Sequence, residues 1–515
     1  MSRSASDAAV ARPATTVLPT RVALHAPRIG AHEVAFSFDV EPATALYRRT
    51  AFTLRFPEAV DVATVPDALW WRIAFLCLHP QWALLRPCTV HVPVALPAGE
   101  RAFWTRLIEA VATTLDAYRT PETRALLPPV AIVDDGPPLA PFRPLPDRGR
   151  CATAFSGGKD SLVQTGLLAE LTEHPILVAT TSPMPPLSDH LTARRRHVLA
   201  QVARRRDVTL VEVESDLRAA WDNDFPSRQG YQIAVNEISD TLLYSASLIA
   251  TAAALGATHC FLASEAEVQE NVERDGAVVQ HPHCMYSTVT QRALQALFRP
   301  LGLRYGSLTS PLHAGQVQQL LWKRYGDLAD LQYSCWRVGP NQRTCSTCGE
   351  CFRMALGVLA LGGSPEAAGI DLVRLLKAMR DWTPRLLPPG TTSATPGERV
   401  GDGLRRQIVH SIQTTRVRRV AGAIARRPWR LLDPRARSAI RAYAALRRRV
   451  AVEGPVGPCG YRPRFLRIVD EQLRAQLGEI FERHFAVEDE AAYAGILARG
   501  DALVRWIVEP LGGEA

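Results

Sequence analysis

Apolar runs and amphipathic segments alternate along the middle of the chain. Residues 152–155 and 176–180 each contain one threonine and otherwise apolar side chains, which is typical of strands buried on both faces. The segments between such runs carry apolar residues at intervals of three and four, which predicts helices. Strands that alternate with helices form a parallel sheet covered on both faces, so the pattern predicts an α/β fold. The predicted strands are residues 152–155, 176–180, 208–213, 259–263 and 304–309, and the predicted helices are residues 162–171, 191–205, 233–255 and 288–298.

The N-terminal part of the chain has partly alternating apolar residues, a pattern that predicts strands exposed on one face. A buried helix begins near Pro66, and a Pro-rich stretch at 135–146 is typical of a linker. Trp70, Trp71 and Trp82 are interpreted as core residues and not as a platform for stacked bases. The predicted elements are strands at 21–29, 32–40, 50–56 and 89–94 and helices at 66–78 and 100–118.

These patterns divide the chain into four segments. Residues 1–20 are rich in Ser, Ala and Pro and lack the apolar stretch of a signal peptide, which predicts a disordered leader. Residues 21–146 are predicted to form an N-terminal α+β accessory module, and residues 147–380 the central α/β domain. Residues 400–515 are predicted to form a helical C-terminal region that begins with an Arg-rich stretch at 404–450. No apolar run reaches the roughly 18 residues of a membrane span, and cysteine usage favours the reducing cytoplasm.

The sequence SGGKDS at residues 156–161 connects a predicted strand to a predicted helix. Two adjacent glycines let the backbone turn tightly with exposed N–H groups, and the following helix adds its positive end, which predicts an anion site. Ser156 and Ser161 add hydroxyl donors, and Lys159 adds a positive charge. Asp160 would repel a bare phosphate, which favours a Mg²⁺ ion between its carboxylate and phosphate oxygens. The alternative is an ordinary turn rich in small residues, but lysine is rare in this chain, which favours the functional interpretation.

A short acidic stretch, residues 264–267, follows the predicted strand at 259–263 directly. Because the carboxyl ends of parallel strands meet at one edge of the sheet, this stretch is expected near the glycine loop. The sequence therefore predicts that Glu265 and Glu267 belong to the same site.

Four cysteines form a cluster of the kind that binds a metal ion. Cys335, Cys345, Cys348 and Cys351 combine two spacings of two residues with a fourth thiol nearby. This pattern suits a closed tetrahedral zinc site with a structural role. The alternatives are an iron–sulfur cluster and free core thiols.

The basic charge of the protein is concentrated in one segment. The net charge is +9 for 515 residues, and residues 401–450 hold 14 Arg against two Asp, with neither Glu nor Lys. The remainder of the chain is therefore slightly acidic. The Arg-rich stretch predicts either a solvated helical face or contact with an acidic protein or nucleic-acid phosphates.

The glycine loop lacks the spacing of the P-loop of common NTPases. It resembles the Ser-Gly-Gly-x-Asp-Ser loop of the PP-loop ATP pyrophosphatases, which have an adenine nucleotide alpha hydrolase-like fold. Together with the cysteine cluster, residues 151–360 look like 7-cyano-7-deazaguanine synthase. Residues 309–312 match a Thr-Pro-Leu of that family only loosely, and His281 and His283 replace its Tyr and Asp beside a matching Cys284. The loop itself carries Lys159 where the synthase has Gln.

The resemblance implies an AMP- and pyrophosphate-forming carbon–nitrogen ligase that uses ATP, Mg²⁺ and Zn²⁺. A carboxylate, 7-carboxy-7-deazaguanine or a similar small deazapurine acid, would be adenylated and then converted to an amide or nitrile. Catalytic roles are implied for Lys159, Asp160 and Glu265, and substrate contacts for Glu267, His281 and His283. The implied ATP-binding residues are Ser156, Gly157, Gly158, Lys159, Asp160 and Ser161, and the implied metal ligands are Cys335, Cys345, Cys348 and Cys351.

Three other functions stay open. Relatives in bacterial defence loci attach the deazaguanine to the N-terminus of a partner protein, and accessory segments on both sides of the core favour such a transfer. A tRNA-modifying PP-loop enzyme is favoured by the Arg-rich stretch at 404–450 and by Lys159. An inactive nucleotide-binding scaffold is the third, and the intact loop argues against it. A protein partner, tRNA and a homodimer therefore remain as candidate associations, and no membrane is expected.

Overall fold

The computed structural model describes most of the chain. The predicted leader at 1–20 lies almost wholly outside the described residues, and so do His281 and His283. The described residues are 19–119, 127–140, 144–145, 149–182, 188–231, 235–269, 271–274, 277–280, 284–335, 338, 342–386, 402–426, 433–451, 457–491 and 494–512.

The secondary structure is a mixture of strands and helices. The strands are β1 Thr20–Leu24, β2 Arg28–Ile29, β3 Glu33–Glu41, β4 Ala51–Arg55, β5 Cys88–His91, β6 Ala131–Val133, β7 Cys151–Ala154, β8 Ile176–Thr181, β9 Thr209–Ser215, β10 His259–Phe261, β11 Asn271–Arg274, β12 Ala277–Gln280 and β13 Arg304–Gly306. The helices are α1 Asp67–Leu84, α2 Glu100–Ala117, α3 Lys159–Leu171, α4 Ser188–Arg205, α5 Phe225–Arg228, α6 Val235–Leu255, α7 Ala266–Gln269, α8 Thr288–Phe298, α9 Ala314–Lys323, α10 Gly326–Ala329, α11 Gly349–Ala360, α12 Leu372–Leu386, α13 Asp402–Thr414, α14 Val417–Ala425, α15 Pro434–Ala451, α16 Glu471–Glu482 and α17 Ala494–Val508.

The described strands other than β11 and β12 form one 11-stranded sheet in the order β13-β10-β7-β8-β9-β4-β3-β1-β5-β6, with β2 paired to β3. The strands from β13 to β9 are all parallel. Counted along the chain, these five have the spatial order 5-4-1-2-3, so the winding direction reverses between β7 and β10. Ligands of doubly wound sheets bind at such a reversal, outside the carboxyl ends of the strands. The predicted α/β fold with a mostly parallel sheet is confirmed.

The N-terminal segment shares this sheet with the central one. β4 pairs antiparallel with β9 through Leu54 opposite Ser215 and Arg55 opposite Glu214. One apolar core also contains residues from both segments, including Phe36 and Ile249. In the described residues, neither the sheet nor the core is interrupted at the predicted boundary between 146 and 147.

Helix α6 lies in the centre of this shared core and packs against α1 and against β7 and β8. The stretch Ile238–Leu255 is long and apolar enough to span a membrane by length and composition, but 78% of it is buried within the protein. The neighbouring Trp70, Trp71 and Trp82 are buried as well, which confirms the prediction that they are core residues.

The C-terminal helices pack on the rest of the molecule through apolar faces. Helix α13 contacts α11, and α15 contacts α12, α13 and α14. Helix α17 contacts α8 and α2, where Arg106 Nη1 lies 2.7 Å from Glu509 Oε2. Helices α11 and α12 are separate because Gly362 and Gly369 adopt positive φ angles of 83° and 78° between them.

Candidate functional site

The glycine loop lies at the carboxyl end of β7, at the reversal point of the sheet. Gly157 has a φ of 81°, which a residue with a Cβ adopts only with strain, so glycine is required there. The loop is closed by its own serines, since Gly157 N–H donates to Ser161 Oγ at 3.0 Å and Gly158 N–H donates to Ser156 Oγ at 3.3 Å. Helix α3 begins at Lys159 and directs its positive end at the loop.

Lys159 lies between two carboxylates. Its Nζ is 2.9 Å from both oxygens of Asp160 and also donates to Glu265 Oε2. Burial alone would lower the pKa of Lys159, but the two carboxylates raise it well above its usual value. Burial raises the pKa of Glu265 to about 7, against the opposing charge of Lys159. The structure thus brings together Lys159, Asp160 and Glu265, as the sequence predicts.

Helix α3 is fixed to the sheet by buried polar contacts. Gln164 Nε2 donates to Thr153 Oγ1 at 2.7 Å and to the carbonyl oxygen of Phe261 at 3.2 Å, and Gln164 Oε1 accepts from Leu308 N–H at 2.9 Å. One amide therefore joins α3 to β7, β10 and the loop after β13. The loop at 156–161 is held by a rigid frame, which a binding site requires.

Two cavities open beside the loop. The larger, of about 370 Å³, lies between the loop, the start of α9, residues 332–335, α11 and α13. The smaller, of about 120 Å³, lies at the carboxyl ends of β7, β8 and β10. Ser156, Asp160 and Arg195 line both, so the two cavities meet at the loop. Apolar and aromatic side chains such as Val178 and Tyr286 line the smaller one.

The larger cavity has polar residues that the sequence analysis missed. Arg353 of α11 lines it, as do Gln318 of α9 and Gln332. The two glutamine amides are almost fully buried and bond reciprocally, with N···O distances of 2.8 and 2.9 Å. No motif marked these residues, because each is a single polar side chain in a helical or irregular stretch. Only the tertiary fold brings them together.

Glu267 is not among the residues that line the two cavities. Its carboxylate accepts from Ala314 N–H at 3.1 and 3.0 Å, and its Oε1 lies 3.3 Å from His313 Nδ1. Burial would raise the pKa of Glu267, but the charge of His313 and these backbone bonds lower it to about 2. The residue is therefore placed to hold the start of α9, which contributes Ala314 to the larger cavity. The substrate contact of Glu267 stays a prediction.

The four predicted cysteines converge. Their sulfur atoms all lie within 4.8 Å of one another, and all four residues are buried. The Sγ–Sγ distances are 4.0 Å for Cys335 and Cys348, 3.7 Å for Cys345 and Cys351, and 3.5 Å for Cys348 and Cys351. Four thiolates about 2.3 Å from one tetrahedral ion are about 3.8 Å apart, so the cluster fits a single metal ion such as zinc. An iron–sulfur cluster would spread its thiolates over several irons, which this spacing disfavours.

Comparison with known proteins gives no family for this chain. A scan of protein-family models finds no match, and a search of curated proteins finds none either. A function for the chain therefore has to be argued from the residues of the site.

Proposed function

We propose that the protein is a PP-loop ATP pyrophosphatase that resembles 7-cyano-7-deazaguanine synthase and acts as a carbon–nitrogen ligase. It adenylates a small carboxylic acid, 7-carboxy-7-deazaguanine or a close analogue, and releases pyrophosphate. The observation that carries the proposal is the position of the loop at 156–161, which lies at the reversal point of a parallel sheet and opens onto two joined cavities. Nucleotides bind at this position in doubly wound sheets.

ATP is assigned to the smaller cavity and the loop. The planar base suits a space bounded by Val178, Leu262, Tyr244 and Tyr286 at the strand ends. The phosphates then reach the N-terminus of α3, whose backbone N–H groups and dipole favour anions. With the base at the strand ends and the terminal phosphates at the helix, the α-phosphorus would lie near Ser156 and Asp160, where the two cavities meet.

Asp160 and Glu265 are the residues that would hold Mg²⁺. Both carboxylates reach one ammonium group, that of Lys159, so they are close enough to share a cation. Oxygen donors of this kind suit Mg²⁺, which binds one or two carboxylates together with substrate phosphates. When bound, the ion supplies charge neutralisation for the phosphates.

The carboxylic acid is assigned to the larger cavity, where Arg353, which also pairs with Glu350, can offer its other guanidinium nitrogens to the carboxylate. A carboxylate oxygen attacks the α-phosphorus, and the bond to the β-phosphate oxygen breaks, so that its electron pair leaves with pyrophosphate. Lys159 stabilises the negative charge that develops on the phosphates. An amine then attacks the acyl carbon and AMP leaves, which forms the amide.

Product analysis tests this proposal. The full-length protein is incubated with ATP, Mg²⁺, ammonium and 7-carboxy-7-deazaguanine, and the nucleotide products are separated chromatographically. AMP and pyrophosphate are expected, and their formation should fall by about 100-fold or more in Asp160→Asn. Asp207→Asn, an exposed aspartate away from the loop, is the matched control and should keep full activity. ADP and phosphate as products would overturn the assignment.

A second candidate is a ligase that transfers the activated acid to a macromolecule. Helix α13 of the C-terminal region lines the larger cavity through Ile408 and Ser411, so an accessory segment forms part of the wall of the site. This favours attachment to the N-terminal amine of a partner protein, with tRNA as the other acceptor. Formation of AMP and pyrophosphate without conversion of the acid by ammonium would favour this candidate, and mass spectrometry of an added partner protein would detect the product.

A further inference from the structure

A second group of metal-binding side chains lies outside the cysteine cluster. His313, Cys459 and Glu488 each offer one ligand atom, and these three atoms lie within 4.8 Å of one another. The relative exposures of the residues are 0%, 7% and 9%, so all three are buried. They come from three separate segments, which the fold brings together.

The geometry points to a second site for one divalent ion, which we propose is zinc, held by His313, Cys459 and Glu488. Imidazole, thiolate and carboxylate are the three side-chain types that zinc binds. Zinc sites with three protein ligands keep water as the fourth ligand. Hard cations such as Mg²⁺ disfavour a thiolate ligand, so this set selects zinc over Mg²⁺.

Two of the three ligands, His313 and Glu488, have contacts that orient them toward the common centre. His313 Nε2 lies 3.1 Å from Glu488 Oε2, while its other ring nitrogen, Nδ1, lies 3.3 Å from Glu267 Oε1. A carboxylate on the second ring nitrogen is the usual support of a metal-binding histidine. Arg406 Nη1 lies 2.9 Å from Glu488 Oε1, which leaves Oε2 for the ion.

Zinc binds cysteine as the thiolate and histidine as the neutral imidazole, so binding to Cys459 and His313 would release protons from the group.

The backbone around the ligands is closely packed. A Cβ on Gly460 would lie 2.3 Å from Glu488 N, and Tyr461 N–H donates to the carbonyl oxygen of Ala486 at 2.8 Å. Arg462 N–H donates to the carbonyl oxygen of Pro311 at 2.9 Å, which joins this segment to the loop before His313. The ion would therefore tie the C-terminal region to the start of α9, beside the larger cavity.

The test is the metal content of the full-length protein, measured by elemental analysis after equilibrium dialysis against buffered zinc. Two zinc ions per chain are expected in the wild type. Cys459→Ala and Glu488→Gln should each hold one, while Cys88→Ala, a buried thiol outside both groups, should keep two. In the cobalt-substituted protein, Cys459→Ala should also lose part of the thiolate charge-transfer absorption.

One ion per chain in the wild type, unchanged in Cys459→Ala and Glu488→Gln, would overturn the proposal. That result would mean that His313 is an imidazolium bridging two carboxylates. The measurement uses only the protein and the metal, so it is independent of the ligase activity. Glu488→Gln keeps the shape of the side chain, and it provides the answer if Cys459→Ala fails to fold.

Discussion

The backbone N–H of Tyr333 donates to the carbonyl oxygen of Gly157 at 2.8 Å. Tyr333 precedes Cys335 by only two residues, so the glycine loop and the cysteine cluster are joined by one hydrogen bond and a short stretch of backbone. Cys335 also lines the larger cavity. We therefore expect a structural change at the cluster to reach the loop.

Cys348→Ser should lower both the metal content and the melting temperature, because metal binding and folding are coupled at such clusters. Activity should fall further than the folded fraction, because Tyr333 loses its fixed position against Gly157. Elemental analysis, thermal melts and AMP formation are the measurements. Cys88→Ala is the control and should keep its metal. Iron in place of zinc, or full metal content in Cys348→Ser, would contradict the assignment.

Gly157→Ala should destabilise the loop by about 1–2 kcal/mol, because the residue has a φ of 81°. The added Cβ would meet Val198 at an ordinary contact distance of 3.6 Å, so the cost is conformational and not steric. The KM for ATP should rise.

Gly478→Ala is the matched control for this substitution. Gly478 lies inside α16 with nothing within 4 Å of an added Cβ. Alanine should therefore stabilise the helix by up to about 1 kcal/mol and leave the KM for ATP unchanged. Equal effects of the two substitutions on ATP binding would contradict a special role for Gly157.

Glu170→Gln should lower the free energy of unfolding at neutral pH by about 0.5–1 kcal/mol, a value discounted for the partial exposure of the pair. Hydrogen bonds from Arg324 hold the pKa of Glu170 below its usual value of 4.5. The native state thus binds fewer protons than the unfolded state, so the contribution is complete above pH 4.5 and is lost as the pH falls below it.

Denaturant titrations of the two proteins at several pH values test this. The difference in the free energy of unfolding between wild type and Glu170→Gln should be constant above pH 4.5 and should shrink toward zero at lower pH. Glu173→Gln removes an exposed charge nearby and should have almost no effect. A difference that persists in acid would show that the loss comes from packing.

Arg437, Arg441 and Arg448 are exposed, and they lie on the face of α15 opposite its buried residues. Replacing all three by Ala should leave the melting temperature and ATP cleavage unchanged but weaken transfer to a partner protein. Within the described part of the Arg-rich stretch at 404–450, the aromatic residue is Tyr443. Its side chain is fully buried and is not available for base stacking. We therefore expect weak tRNA binding with a shallow salt dependence.

A filter-binding titration with tRNA is the deciding measurement. The slope of log K against log salt concentration would be steep if the segment binds RNA. It would then become shallower by about 3 in the triple variant, because each neutralised phosphate contributes about 0.9 to this slope. The control replaces three exposed arginines that pair with carboxylates, Arg48, Arg55 and Arg196. It changes the net charge equally and should not alter binding.

The sequence predicts the parts of this protein that have a local pattern. The strands and helices of the α/β core follow the apolar periodicity to within a few residues, and the buried tryptophans and converging cysteines were predicted correctly. The proximity of Glu265 to the loop followed from sheet geometry alone. Each of these features is determined either by the spacing of nearby residues or by the general rule that ligand sites form at the carboxyl ends of parallel strands.

The remaining features depend on contacts between distant segments. The pairing of β4 with β9 and the contact between His313 and Glu488 join residues more than 150 positions apart. Ile408 and the glycine loop, which line the same cavity, are also more than 150 positions apart. No local period encodes such a contact. The sequence analysis did not predict the contact between Glu267 and His313, because His313 lies in a distant loop of the chain.

The pairing of β9 with β4 has a consequence for truncation. Without residues 19–119, β9 would lose its pairing with β4 at Glu214 and Ser215 and would become the open border of the parallel sheet. Open borders of this kind recruit other strands and lead to aggregation. A shortened protein that begins near Cys151 should therefore precipitate or pair with itself during expression, even though it would retain the whole glycine loop and all four cysteines of the cluster.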